Sequence, residues 1–179
     1  MENENEFAFV EKRGFAVRPE NVWEFAGYLL LLLFVPIIFG HSQGLPNQLF
    51  IGSVVNFLLA LAAFRMSSMW KILPIVVVPT IGAYVSGIVF GSATNFLLYF
   101  IPAIWLGNYV YVRMLKNKSG VLRASLAKSA LLFAVALVLV YAAVVPSLFL
   151  MAMGPLQLVT ALIGGAAGMF AAGRISARK

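Results

Sequence analysis

The 179-residue chain contains no cysteine and no aspartate, one histidine (His41), and only 11% charged residues. Without cysteine there is no disulfide framework, thiolate nucleophile or sulfur metal site. A lone imidazole with no carboxylate beside it makes a poor metal site and cannot complete a serine–histidine–acid set. All six acids are glutamates, Glu2, Glu4, Glu6, Glu11, Glu20 and Glu24. Beyond Glu24 there is no acid, so no carboxylate pair exists there for acid–base work and no ligand set for metal-assisted hydrolysis. Neither a Walker loop nor a dinucleotide glycine loop is present. The sequence reads as non-catalytic, with no cofactor and no metal.

What is present is apolar. Hydrophobic residues make up 62% of the chain, against ~45–50% in soluble domains. That excess excludes both an ordinary soluble domain and a disordered chain. Six apolar stretches stand out, at about 22–40, 46–64, 71–90, 93–112, 125–145 and 155–173. Each approaches the ~20 residues a helix needs to cross a bilayer. Such continuous runs read as helices, because barrel strands alternate polar and apolar residues. The expected fold is an all-α integral membrane protein with six transmembrane helices. It divides into a polar N-terminal segment (1–21), a six-helix domain (22–175) and a basic C-terminus (176–179). Pro74, Pro79 and Pro102 fall inside spans and predict kinks. Residues 1–21 lack the basic start and apolar run of a signal peptide. Phe7, Phe9, Val10, Phe15 and Val17 fit either a surface-lying amphipathic segment or a flexible tail.

Charge gives the orientation. The first 24 residues set six glutamates against Lys12, Arg13 and Arg18, a net −3, while residues 25–179 carry ten basic residues and no acid. The overall charge of +7 is that of basic loop anchors and does not indicate nucleic-acid binding. Arg65 and Lys71 lie in one connection; Arg113, Lys116, Lys118, Arg123 and Lys128 lie in another; Arg174, Arg178 and Lys179 close the chain. The alternate connections 41–46, 90–95 and 146–155 contain no lysine or arginine. The positive-inside rule therefore expects both termini in the cytoplasm of a multi-pass cell (plasma) membrane protein. Glu24, near the cytoplasmic start of span one, is expected to pair with a loop cation.

Polar and aromatic residues gather in the outer halves of the spans. Helical rise places Tyr84, Asn95, Tyr99, Tyr141, Gln157 and Thr160 in outer thirds and Trp105 past the middle of span four, with Gln43 in the first outer loop. These eight are the expected substrate-binding residues of an apolar pocket holding one small molecule. An aromatic belt competes as a reading of the tyrosines, and helix capping as a reading of Asn95 and Gln157. Asn56 and Asn108 sit deeper; an amide in lipid needs an interhelical partner, so both read as structural. Gly164, Gly168 and Ala172, with Ala161, Gly165 and Ala171, form a small-residue stripe on span six. It packs on a neighbouring span or docks a partner subunit. The octapeptides at 52–59 and 91–98 are alike, but their different depths argue for chance convergence over duplication.

Four stretches carry a resemblance: Gly40-His-Ser-Gln43; Gly52-Ser-Val-Val-Asn56-Phe-Leu-Leu; Ile101-Pro-Ala-Ile-Trp-Leu-Gly107-Asn108; and Gly154-Pro-Leu-Gln157-Leu-Val-Thr-Ala-Leu-Ile-Gly-Gly165. Together they resemble the substrate-binding (S) components of energy-coupling factor transporters. The resemblance implies a six-helix binder of a vitamin-like micronutrient, held near the outer face for uptake with a transmembrane coupling subunit and ATPases. Many such components carry docking residues spaced by four on span one. Here that span has only Ala26 and Gly27, followed by five leucines at 29–33, which leaves the span-six stripe as the candidate docking face. The alternative of another class is a non-transporting membrane scaffold.

Overall fold

The computed structural model describes residues 22–40, 44–66, 68–87 and 90–177. The expectations for 1–21, His41 and Gln43 lie outside the described residues. Among those described there are helices and turns but no strand. The helices are α1 (Val22–Phe39), α2 (Leu45–Arg65), α3 (Met69–Val85), α4 (Ile101–Lys116), α5 (Val121–Tyr141), a short α6 (Leu148–Met153) and α7 (Pro155–Ala177); a 3₁₀ helix (Gly91–Phe100) leads directly into α4. Five segments are long and apolar enough to cross a membrane: α1, α2, the 3₁₀ helix with α4, α5, and α6 with α7. α3 is apolar but has only 17 residues.

α1, α2, α3, the 3₁₀ helix with α4, α5, and α6 with α7 alternate in direction. At one end, the Glu24 carboxylate accepts hydrogen bonds from the Arg65 guanidinium, tying the start of α1 to the end of α2. At that same end Lys116 Nζ donates to the carbonyl of Met66. The opposite end holds the α1–α2, α3–3₁₀ and α5–α6–α7 connections. Leu30, Leu31, Phe34 and Ile38 of α1 are exposed, as are Leu137 and Val138 of α5 and Ile163 and Phe170 of α7. So wide an apolar surface around a packed core is what lipid, not water, solvates.

Local chemistry explains the breaks. Pro102 lacks the N–H that would bond Leu98, and its ring crowds that carbonyl. Up to that point the chain winds as a 3₁₀ helix, and Ile101 N–H closes onto Leu98 O. The sequence suggested a continuous α-helix from 93 to 112; proline instead makes a junction there. It also separates the two similar octapeptides: 52–59 lies within an α-helix, while 91–98 lies in the 3₁₀ helix. α5 begins after Gly120, whose φ of 83° suits glycine. The preceding turn has Lys118 at φ 60°.

The small-residue stripe of α7 packs inside the chain and is not presented to a partner. α2 and α7 run parallel, with Gly52 against Thr160, Ser53, Asn56 and Phe57 against Gly164, and Phe57, Ala60 and Leu61 against Gly168. Ala172 is likewise buried. The matching four-residue strides bring the two backbones into close approach. Gly164 and Gly168, expected to dock a partner, lie instead against α2, and Ala172 is buried within the bundle.

A second correction concerns Lys128. It belongs to α5, seven residues and thus about 10 Å beyond the first residue of the helix, not to the basic loop. Its side chain is buried, 2% exposed. The other described basic residues stay at or near helix ends on one side of the bundle; this one enters the interior.

Candidate functional site

A partly enclosed cavity of about 110 Å³ lies within the bundle. This is of the order of the ~150 Å³ that accommodates a benzene-sized molecule, and well above the ~10–15 Å³ required for one water. Every long helix contributes to it: Pro36 from α1, Gln48, Gly52 and Asn56 from α2, Thr80 from α3, Asn108 from α4, Lys128 from α5 and Thr160 from α7. Phe90, Leu97, Met153 and Leu156 supply apolar wall on the side away from the basic end. Behind that wall, Phe90, Phe96 and Phe100 pack around Phe149, with the Phe100 and Phe149 rings stacked at 4.9 Å between centroids.

The polar groups form a chain across three helices. Lys128 Nζ donates to Asn56 Oδ1 at 2.6 Å. The Asn56 amide then donates to Gly52 O at 2.8 Å and to Thr160 Oγ1 at 3.2 Å. Thr160 Oγ1 donates in turn to Gln157 O. Both amide protons of Asn56 and one of the two lone pairs on its oxygen are thereby engaged. Lys128 Nζ also lies 5.3 Å from the centroid of the Tyr111 ring, within cation–π range. Tyr111 is fixed by donating its hydroxyl to Ala161 O at 2.8 Å. A buried ammonium with only neutral partners is held at a cost of several kcal/mol. Among the described residues the one acid is Glu24, and it is bonded to Arg65 at the basic end.

On the α3 side, Asn108 Nδ2 donates to Val76 O at 3.0 Å. That carbonyl, four residues before Thr80, is where a helical threonine hydroxyl commonly bonds. Thr80 Oγ1 is buried and has no hydrogen-bond partner. Pro36 and Pro79 lie inside α1 and α3 and line the same cavity. Proline has no N–H, so each leaves its helix's hydrogen-bond ladder incomplete beside the cavity.

Of the residues singled out from the sequence, Gln157 and Thr160 line the cavity. Asn56 and Asn108 make the interhelical bonds expected of buried amides, and both line the cavity too. Tyr84, Asn95, Tyr99, Trp105 and Tyr141 do not come to it; all five are exposed, Tyr141 at 94% and Tyr99 at 57%. Their side chains lie on the apolar outer surface of the bundle, as those of an aromatic belt do. Sequence reasoning missed Thr80 and above all Lys128. The signal for Lys128 was Ser119-Gly120, which punctuates the chain and starts α5 early enough to carry the lysine two turns inside. No family model, curated protein or solved structure matches the chain.

Proposed function

We propose that the chain is a membrane-embedded capture subunit that takes a small, vitamin-like micronutrient from the outer face of the plasma membrane and delivers it to an ATP-driven importer. In this reading α1, α2, α3, the 3₁₀ helix with α4, α5, and α6 with α7 make six crossings, with both termini cytoplasmic. α3's 17 residues meet the lower end of the ~17–25 that a span requires.

The observation that carries the reading is the cavity: about 110 Å³, mostly apolar, with a few convergent polar groups, the composition expected of a small-molecule site. A purely structural subunit has no use for such a space, and filling it with side chains would stabilise the bundle. The one carboxylate within the described spans, Glu24, is bonded to Arg65 at the end of the bundle, away from the cavity, so in this reading uphill movement of the solute falls to partner ATPases. Because α2 covers the α7 stripe, the coupling subunit docks on another face.

The reading is tested by extracting the protein in mild detergent and identifying small molecules released on denaturation by mass spectrometry. A single solute in near-stoichiometric amount, and association with ATPase subunits in the same membranes, are expected. An empty protein that associates with no ATPase overturns it.

Topology is tested separately, and the absence of cysteine makes every engineered cysteine unique. Ser119 lies in the α4–α5 turn and Ser147 just before α6. In intact cells a membrane-impermeant maleimide is expected to label Ser147→Cys and to reach Ser119→Cys only after permeabilisation. Labelling of both in intact cells breaks the six-crossing scheme.

A further inference from the structure

The cavity is donor-rich, and among the described residues that line it none is an acid. Lys128 Nζ has three N–H donors, of which Asn56 takes one. Thr80 Oγ1 is buried without a partner, and Asn108 has a second amide proton beyond the one given to Val76 O. These three groups come from α5, α3 and α4 and line one space. Among the described residues the only carboxylate, that of Glu24, is bonded to Arg65. A buried cation needs a counter-charge, and unpaired buried donors need an acceptor. A carboxylate is acceptor-only, with about four lone-pair positions. It supplies both at once, and its single negative charge matches the single lysine.

We infer that the captured solute is a small monocarboxylate whose carboxylate binds Lys128, with Thr80 and Asn108 as further donors and its apolar body against Leu97, Met153 and Leu156. The inference rests on the solute-capture reading and adds the chemical class of the cargo. It also gives Lys128 a role beyond helix packing: it orders Asn56 in the empty protein and meets the carboxylate in the loaded one.

The test measures the thermal unfolding of the purified protein with two acids, benzoate and nicotinate, and with their uncharged amides, benzamide and nicotinamide. It is combined with the identity of any compound released from the protein. At least one acid is expected to raise the unfolding temperature where its amide does not, and the released compound to be a carboxylic acid. Lys128→Met is expected to fold, because methionine fills the same space without a charge, and to bind the acid roughly a hundredfold more weakly, the scale on which a buried charge pairing acts. Lys128→Arg should retain part of the affinity, which a merely structural lysine would not require. If amides stabilise as well as acids, if the acid effect survives in Lys128→Met, or if the released compound is neutral, the carboxylate inference falls and solute capture stands. If no probe stabilises the protein and nothing is released from it, both fall.

Discussion

Gly164→Ala and Gly27→Ala are expected to change stability in opposite directions, although each adds one methyl group to a glycine within an apolar helix. At Gly164 the added carbon would meet Ser53 O, Phe57 N and the Cβ of Asn56 on α2. Two of those three atoms are backbone, which no side-chain rotation can withdraw. The helices would have to part, and the cost expected is about 3 kcal/mol, at the upper end of typical overpacking. At Gly27 nothing lies within 4 Å of the added carbon, so alanine's lower backbone entropy prevails and a gain of about 0.5 kcal/mol is expected. Unfolding titrations in mixed detergent micelles measure both. Equal and small effects at the two positions would mean that α2 and α7 do not meet along this stripe.

The pair matters beyond stability because α2 and α7 supply Asn56 and Thr160, which share a hydrogen bond. Their close approach is what sets that bond. The packing step for which the stripe was legible as a pattern thus also builds the cavity wall.

How much was legible follows from the solvent. Lipid demands long apolar helices, so the six stretches locate the helices closely: 46–64 became Leu45–Arg65, and 22–40 became Val22–Phe39. Which face each residue occupies was not legible, because lipid-facing and core-facing sides are both apolar and no amphipathic stripe distinguishes them. Tyr141 and Thr160 were placed at comparable depth, yet one is exposed and the other buried. The octapeptides give a sharper case: Asn56 and Asn95 have nearly identical neighbours in sequence, but Asn56 is 2% exposed and Asn95 lies on the surface. For Asn56 and Asn108 the need for an interhelical partner was legible from burying an amide; the partners, Thr160 and Lys128 for one and Val76 O for the other, depend on tertiary packing. Lys128 was hidden by the rule that orients the protein, since a lysine near a span's start is usually an anchor.

The largest effect of all is expected at Asn56, and only while Lys128 is present. In Asn56→Leu the side-chain volume is nearly kept, Thr160 Oγ1 still has Gln157 O as its acceptor, and Gly52 O remains in the helix ladder. The main loss is the hydrogen bond that Lys128 Nζ makes at 2.6 Å. A buried charge stripped of its partner costs about 3–5 kcal/mol, so Asn56→Leu alone is expected to destabilise by that amount. Lys128→Met alone removes the charge and its desolvation but leaves Asn56 Oδ1 without its donor, at about 1–3 kcal/mol, so a net change near zero is expected. In the double variant Asn56→Leu/Lys128→Met neither the charge nor the amide remains to be satisfied, and most of the loss is expected to be recovered. The cycle should close with a coupling of about 2–3 kcal/mol. It is measured on the ligand-free protein, so it is independent of which solute fills the cavity. Additive single effects would show that Lys128 does not depend on Asn56, and that its amine finds another partner within the bundle.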